Sequence, residues 1–217
     1  MANSGRSRRS EPSRRNLIEA TGQLVTERGV EGLRVREIAS VAGMSPAAVL
    51  YHYPDNSELV LAVHRNAVDR YMAGRIASQE NLEDPREQLT SMMVAGVPPY
   101  ADEDLIRLLY EMHGLARRSP GHAQLMTDLW GQERQLYADI LRAGSELGHF
   151  QIEDPFESVA AILLALEDGL VLHLVSGNSD LDAEKVIQAF RRSAARELAC
   201  PELRGAPNQH ISVQRPV

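Results

Sequence analysis

Four side chains between positions 34 and 52 have the chemistry to bind the phosphate backbone of a nucleic acid. Arg34 and Arg36 begin a short periodic segment, where the unpaired backbone N–H groups of a helix also attract a phosphate. Tyr51 and His52 end the next segment, where a hydroxyl and an imidazole can reach phosphate oxygens. The spacing predicts phosphate contacts from both ends of a two-helix unit.

The segment between these residues has the pattern of two short helices joined by a tight turn. Apolar residues repeat at helical spacing over 35–42, and Gly43 ends the repeat. Ser45 followed by Pro46 is typical of an N-cap with proline at the first helical position, so a helix is expected from Pro46 to about His52. The turn at Ala42-Gly43-Met44 allows a steep crossing, as in a helix-turn-helix.

The second helix carries small residues, Ser45, Ala47 and Ala48, on its leading face. A helix with small side chains there can lie deep in the major groove of DNA. The alternative is that this turn belongs to an ordinary three-helix bundle that does not contact DNA. The sequence pattern of the short segment alone leaves both interpretations open.

The rest of the chain also has helical periodicity, and neither an alternating strand pattern nor an internal repeat is present. Proline, glycine and capping residues divide it into about nine helices. These are expected near residues 13–28, 35–42, 46–52, 55–76, 84–97, 102–118, 121–147, 155–176 and 182–200. Asp154-Pro155-Phe156-Glu157 is expected to act as a capping box for the eighth helix. The fold class predicted is all-α.

Charge is unevenly distributed along the 217 residues: the first 60 have a net charge of +1 and the remainder −8. A basic end on an acidic body is compatible with a nucleic-acid-binding module. One cysteine, the lack of a signal peptide and an apolar stretch at 159–175 that is short for a membrane span favour a cytoplasmic protein without a membrane partner.

Enzyme function is not expected, because motifs such as G-x-S-x-G, H-E-x-x-H and a glycine-rich phosphate loop are missing from the sequence. The seven histidines lack the spacing of metal ligands, so neither a metal nor a cofactor is implied. Four of them, His64, His122, His149 and His210, are expected to lie on the solvated surface.

The N-terminal residues resemble the DNA-binding domain of TetR-family transcriptional regulators from Pro12 to Glu58. The matching segments are Thr26-Glu27-Arg28-Gly29, Val35-Arg36-Glu37-Ile38-Ala39, Ala42-Gly43-Met44-Ser45 and Val49-Leu50-Tyr51-His52-Tyr53. The resemblance implies base contacts from Ser45, Pro46, Ala47 and Ala48, and phosphate contacts from Tyr51 and His52. It implies a small core of Leu17, Ile18, Leu24, Ile38, Val49 and Leu50.

Three positions depart from the family pattern. Arg34 replaces a capping Thr or Ser, Tyr53 replaces Phe, and Asn56 replaces a phosphate-binding Lys. The five arginines of residues 1–15 would compensate for the lost lysine by binding an adjacent groove, or they belong to a solvated tail.

The segment Ala165-Leu166-Glu167-Asp168-Gly169-Leu170 is similar to a pattern in the branch whose C-terminal domain resembles the choline-pathway repressor. The family resemblance implies a helical ligand-binding and dimerisation domain and a homodimer formed by the last two helices. Interface residues would be Gly169, Leu170, Leu174 and Phe190. The alternative for helix 155–176 is burial inside a monomer. Glu167 would either neutralise a ligand cation or pair with an arginine such as Arg191, and a structural pair is favoured.

Methionine and aromatic residues in the middle helices are either ordinary core or the lining of an effector pocket. If they line a pocket, the ligand-binding residues that the family resemblance implies are Met92, Tyr110, His113, Met126, Trp130 and Tyr137. The ligand would then be a largely apolar small molecule.

Together these features predict a mobile arm over 1–11, a DNA-binding domain over 12–58, a ligand-binding and dimerisation domain over 59–200 and a loose tail over 201–217. The function predicted is that of a transcriptional regulator, a repressor released from a pseudo-palindromic DNA operator by an effector. The alternative is a helical small-molecule-binding protein or enzyme whose helix-turn-helix is only structural.

Overall fold

A computed structural model describes the backbone of residues 4–205 and the side chains of residues 13–205. This part of the chain contains nine α-helices and no strand. The helices are α1 (Ser4–Arg28), α2 (Val35–Val41), α3 (Pro46–His52), α4 (Asn56–Ala77), α5 (Pro85–Ala95), α6 (Glu103–Ala116), α7 (Pro120–Glu146), α8 (Phe156–Val175) and α9 (Ala183–Glu197), followed by a 3₁₀ turn (Pro201–Arg204). The predicted all-α class and helix number are confirmed.

The helix ends follow from the residues that stand there. Gly29 and Gly43 adopt φ of +75° and +65°, the left-handed region in which glycine ends a helix without a side-chain clash. Asp182 accepts a hydrogen bond from the backbone of Lys185 at 2.8 Å and so caps α9 as predicted.

Three ends differ from the sequence expectation. Helix α1 begins at Ser4 rather than near Ser13. Pro155 is the N-cap of α8 rather than its first helical residue, and no side chain caps this end, so the predicted capping box is wrong. Instead, Glu157 forms an ion pair with Arg142 at 3.2 Å. Residues 201–204, expected to be loose, form the 3₁₀ turn, and Leu203 anchors this turn in the core.

The chain forms two compact units. The first contains residues up to Arg70 together with residues 107–126, and the second contains residues 71–106 and those from Thr127 onward. The first unit therefore includes more than the predicted DNA-binding segment of 12–58. In the second unit, α5, α7, α8 and α9 share one apolar core.

Candidate nucleic-acid interface and the buried ion-pair cluster

Helices α2 and α3 form the predicted helix-turn-helix. Arg34 is the N-cap of α2 in extended backbone conformation, and its side chain makes no capping hydrogen bond. Ser45 caps α3, because its Oγ accepts a hydrogen bond from the backbone N–H of Ala48 at 3.2 Å. The loss of the usual cap at Arg34 leaves an exposed guanidinium at the start of α2.

One side of α3 is buried and the rest is presented to solvent. Val49 is fully buried, whereas Ser45, Pro46 and Ala47 are exposed and Tyr51 is 80% exposed. Because Tyr51 is exposed to this degree, an external hydrogen-bond acceptor can reach its hydroxyl. The other predicted contacts agree with this placement, since Arg36 is exposed and Ala48 and His52 are half-buried.

The predicted core of this unit needs one correction. Leu17, Leu24, Ile38 and Val49 are buried, as expected, whereas Ile18 is half-buried. Leu50, however, is 45% exposed. Successive residues of a helix point about 100° apart, so a helix of seven residues that buries Val49 turns Leu50 away from the same core.

A second feature is a buried charged cluster inside the second unit. Arg75 of α4 is fully buried and forms a bidentate ion pair with Glu167 of α8. Nη1 donates a hydrogen bond to Oε1, and Nη2 donates one to Oε2 at 3.1 Å. Tyr137 of α7 donates its hydroxyl hydrogen to Glu167 Oε2. The predicted structural pair of Glu167 thus exists, but its partner is Arg75 and not Arg191.

Further groups surround the Arg75 guanidinium. Glu133 Oε1 lies 3.5 Å from Arg75 Nη2. The rings of Tyr71 and Tyr137 lie 5.4 Å and 5.6 Å from the guanidinium carbon, within cation–π distance. A Cβ on Gly96 would overlap Arg75 Nη1 and Glu167 Oε1, so a larger residue at that position would displace the ion pair.

The cluster has more acidic groups than its single guanidinium can neutralise. Burial raises the pKa of Glu133 to about 7, although the charge of Arg75 lowers it. Asp168, which follows Glu167 on α8, is exposed at its surface, but partial desolvation and then the charge of Glu167 raise its pKa to about 6. Glu133 Oε1 is also buried without a hydrogen-bond partner. Near neutral pH, therefore, Glu133 is close to the midpoint of its titration.

The six residues predicted for the effector pocket are distributed over both units. Tyr110, His113 and Met126 lie in the first and Met92, Trp130 and Tyr137 in the second. Within the first unit, the rings of Tyr110 and His113 stack at 6.0 Å. Within the second, Met92 is buried, and Trp130 is 41% exposed with the Arg134 guanidinium 4.8 Å from its ring centre. Their role as a pocket stays a prediction.

Two histidines expected on the surface are buried instead. His64 and His122 have 0% and 5% exposure, and their Nδ1 atoms are 2.8 Å apart. Burial, followed by the charges of His122 and His113, lowers the pKa of His64 to about 4. His64 follows Val60 and Val63 on the buried stripe of α4, a spacing that could have revealed its burial. His149 is half-buried, and His210 lies outside the described residues.

Helix α8 has one face in the core and another on the surface. Val159, Leu163 and Glu167 are buried, whereas Ile162 and Leu172 are 54% and 46% exposed. By length and composition α8 could cross a membrane, contrary to the expected shortness of this stretch, but a core-facing side gives a soluble helix the same composition. Among the described residues, no group of three or more potential metal ligands is present.

The predicted interface residues differ in exposure. Gly169 is exposed, and Leu170 and Leu174 are half-buried. Phe190 is 2% exposed and stacks on Tyr137 at 6.3 Å, so it belongs to the core of its own protomer and is removed from the predicted interface. Phe190 lies on the apolar face of an amphipathic helix, and that face turns toward the core.

The helical fold and the solvent-facing second helix of the helix-turn-helix define a DNA-binding regulator with a separate helical C-terminal unit. Residues 17–63 match the model for bacterial regulatory proteins of the tetR family, and residues 85–199 match the model for the C-terminal part of BetI-type transcriptional repressors. The chain belongs to the TetR family of transcriptional regulators. These proteins are regulators and not enzymes.

Individual relatives support the same assignment. The transcriptional regulator PksA of Bacillus subtilis is 30% identical over 175 residues, which cover 75% of this chain and 78% of PksA. The repressor AcnR of Corynebacterium diphtheriae is 25% identical over 184 residues, which cover 83% of this chain and 90% of AcnR. A regulator from Saccharomonospora viridis, solved in complex with choline, shares the fold with a TM-score of 0.79 at 24% identity, covering 86% of this chain and 96% of that one.

Replacing Glu133 by Gln should change how stability depends on pH. The folded protein retains a proton on Glu133 up to a pKa of about 7, whereas an unfolded chain releases it near 4.5. Wild-type stability should therefore fall relative to Glu133→Gln as the pH rises from 5 to 8, by up to about 3 kcal/mol. Urea unfolding of both proteins at several pH values measures this difference, in which contributions from His64 cancel. If the unfolding free energy of wild type minus that of Glu133→Gln stays constant or increases with pH, the raised pKa assigned to Glu133 is wrong.

Proposed function

We propose that this protein binds a pseudo-palindromic operator as a homodimer through α3 and that a small, largely apolar effector releases it. The observation that carries the proposal is the exposed face of α3, with Ser45, Pro46 and Ala47 open to solvent and Tyr51 beside them. Small residues permit close approach to base edges. Hydrogen-bond donors for the phosphate oxygens are available on both sides of this face, from Arg34 and Arg36 and from Tyr51 and His52.

Two substitutions in α3 should separate groove entry from backbone contact. Ala47→Arg adds a long side chain to an exposed position, so it should abolish operator binding without loss of thermal stability. Tyr51→Phe removes one hydroxyl and should weaken binding to operator and random DNA alike, by about 0.5–1.5 kcal/mol, or up to about 3 with a charged acceptor. Fluorescence anisotropy with labelled duplexes measures both effects. Wild-type operator affinity in Ala47→Arg would show that α3 is not the recognition helix.

TetR-family regulators are typically dimers. For this chain we place the contact on the outer face of α8, where Ile162, Gly169 and Leu172 are exposed. Leu170 and Leu174 are half-buried and lie toward the core-facing side of the helix. Apolar residues that stay exposed on one helix face are suited to burial against a second copy. Gly169 has nothing within 4 Å of a Cβ built on it, so a neighbouring helix has room to approach closely.

Leu172→Asp should therefore dissociate the dimer and leave the protomer folded, because Leu172 is already 46% exposed. Operator affinity should fall strongly, since a single half-site provides only part of the contacts. Leu147→Asp is the matched control, as Leu147 is 62% exposed but lies on the loop after α7. Sedimentation velocity should show a monomer for the first variant and a dimer for the second. If Leu172→Asp remains dimeric, the interface lies elsewhere.

The effector proposal rests on the apolar and aromatic composition of the residues assigned to the pocket. Met92 and Tyr137 are buried, and Trp130, the single tryptophan, is 41% exposed. One regulator of similar fold was solved with choline, but at 24% identity it shows the fold alone. We propose a largely apolar molecule that lowers operator affinity about 5- to 150-fold, the range of typical coupling energies. A cytoplasmic location also stays a prediction.

A further inference from the structure

Leu50 of α3 presents a branched aliphatic side chain to solvent, with 45% of its surface exposed. One exposed leucine is ordinary on a protein surface. Here, however, eight large hydrophobic side chains are exposed among the described residues, and Val41, Leu50 and Tyr51 are three of them. Helices α2 and α3 have only seven residues each, so exposed apolar surface is concentrated in the helix-turn-helix.

Helix geometry gives the position of Leu50 around α3. Successive residues turn by about 100°, so Leu50 projects between Pro46 and Ala47, about one turn further along the helix. Both of these residues are exposed. The half-buried Ala48 and His52 lie about 160° away from Leu50 around the axis. Leu50 is therefore part of the exposed face that carries Pro46 and Ala47, and it extends further from the helix than either of them.

This part of the face has no hydrogen-bonding side chain. Pro46, Ala47 and Leu50 offer neither a donor nor an acceptor, so they cannot pair with the polar edge of a base. A polar base edge packed against them would lose its water partners without replacement. The C5 methyl group of thymine is the apolar group that the major groove presents, and apolar side chains recognise it by direct contact.

We infer that Leu50 reads a thymine in each half-site of the operator by packing against its C5 methyl group. The inference rests on the proposed DNA-binding function and adds to it a specificity-determining residue that the sequence analysis placed in the core. Duplex DNA is the occupant because Leu50 is continuous with the face of α3 proposed to enter the groove. Tyr51, the next residue, lies 80% exposed at the edge of the same face.

The test uses the operator that wild type selects from random duplexes, with each thymine in turn replaced by deoxyuridine in both half-sites. The replacement removes the methyl group and keeps every hydrogen-bonding atom of the base. Burial of a group of this size is worth about 0.8 kcal/mol, or about fourfold in affinity, in each half-site. At one thymine position, wild type should therefore lose about 16-fold in affinity, measured by fluorescence anisotropy.

Three variants are compared on the same duplexes. In Leu50→Ala the ratio of thymine to uracil affinity at that position should fall to about one, and the thermal unfolding temperature should stay close to that of wild type because the side chain is already half exposed. Leu50→Met keeps an apolar side chain of similar volume and should retain most of the ratio. Leu147→Ala is the matched control, the same change at a leucine that is 62% exposed outside the helix-turn-helix.

Two results would overturn the role of Leu50 while leaving the proposed function of α3 intact. One is a uracil effect in Leu50→Ala that equals that of wild type at every sensitive thymine. The other is an operator that wild type binds and Ala47→Arg does not, but on which no replacement of thymine by uracil weakens wild-type binding. Failure of wild type to select any sequence would remove the proposed function and this inference together.

Discussion

The second unit depends on a guanidinium that is held away from water. Arg75 is fully buried, and removing such a charge from water costs several kcal/mol unless good partners compensate. Glu167, Glu133 and Tyr137 supply charge and hydrogen bonds, and Gly96 leaves the space that the pair occupies. Loss of Glu167 alone would remove both hydrogen bonds of the bidentate pair and leave the buried cation with Glu133 at 3.5 Å, so α4, α7 and α8 must meet at this point.

This requirement bears on the proposed release by an effector, because Arg75 belongs to the helix that follows α3. Helix α4 runs without interruption from Asn56 to Ala77, so one helix carries residues that follow the recognition helix in sequence and residues of the buried cluster. An effector changes DNA affinity only to the extent that it prefers one arrangement of such an element over another. Glu133, with its unsatisfied oxygen and raised pKa, is the member of the cluster most easily perturbed by a ligand or a proton.

Local sequence signals predicted the nine helices and the solvent-facing side of α3. They also predicted the helix ends at Gly29 and Gly43 and the N-cap at Ser45. They failed where a tertiary partner decides the outcome. His64 and His122 contact each other inside the fold through their Nδ1 atoms, and an isolated histidine gives no sign of such a partner. Sequence signals do not single out Arg75, because an arginine on a long helix is usually exposed. Arg75 follows Tyr71 by four residues, and Tyr137 follows Glu133 by four residues, so each pair shares one face of its helix. These two spacings are the sequence signal for the cluster.

The central claim is that α3 reads an operator as part of a symmetric dimer. Hydroxyl-radical footprinting of the protein on the DNA upstream of its own gene tests it most directly. Two protected half-sites of related sequence, about one helical turn or a multiple of it apart and symmetric about a central axis, are predicted. Uniform protection that follows protein concentration without a preferred site, or a single unsymmetric site, would contradict the claim.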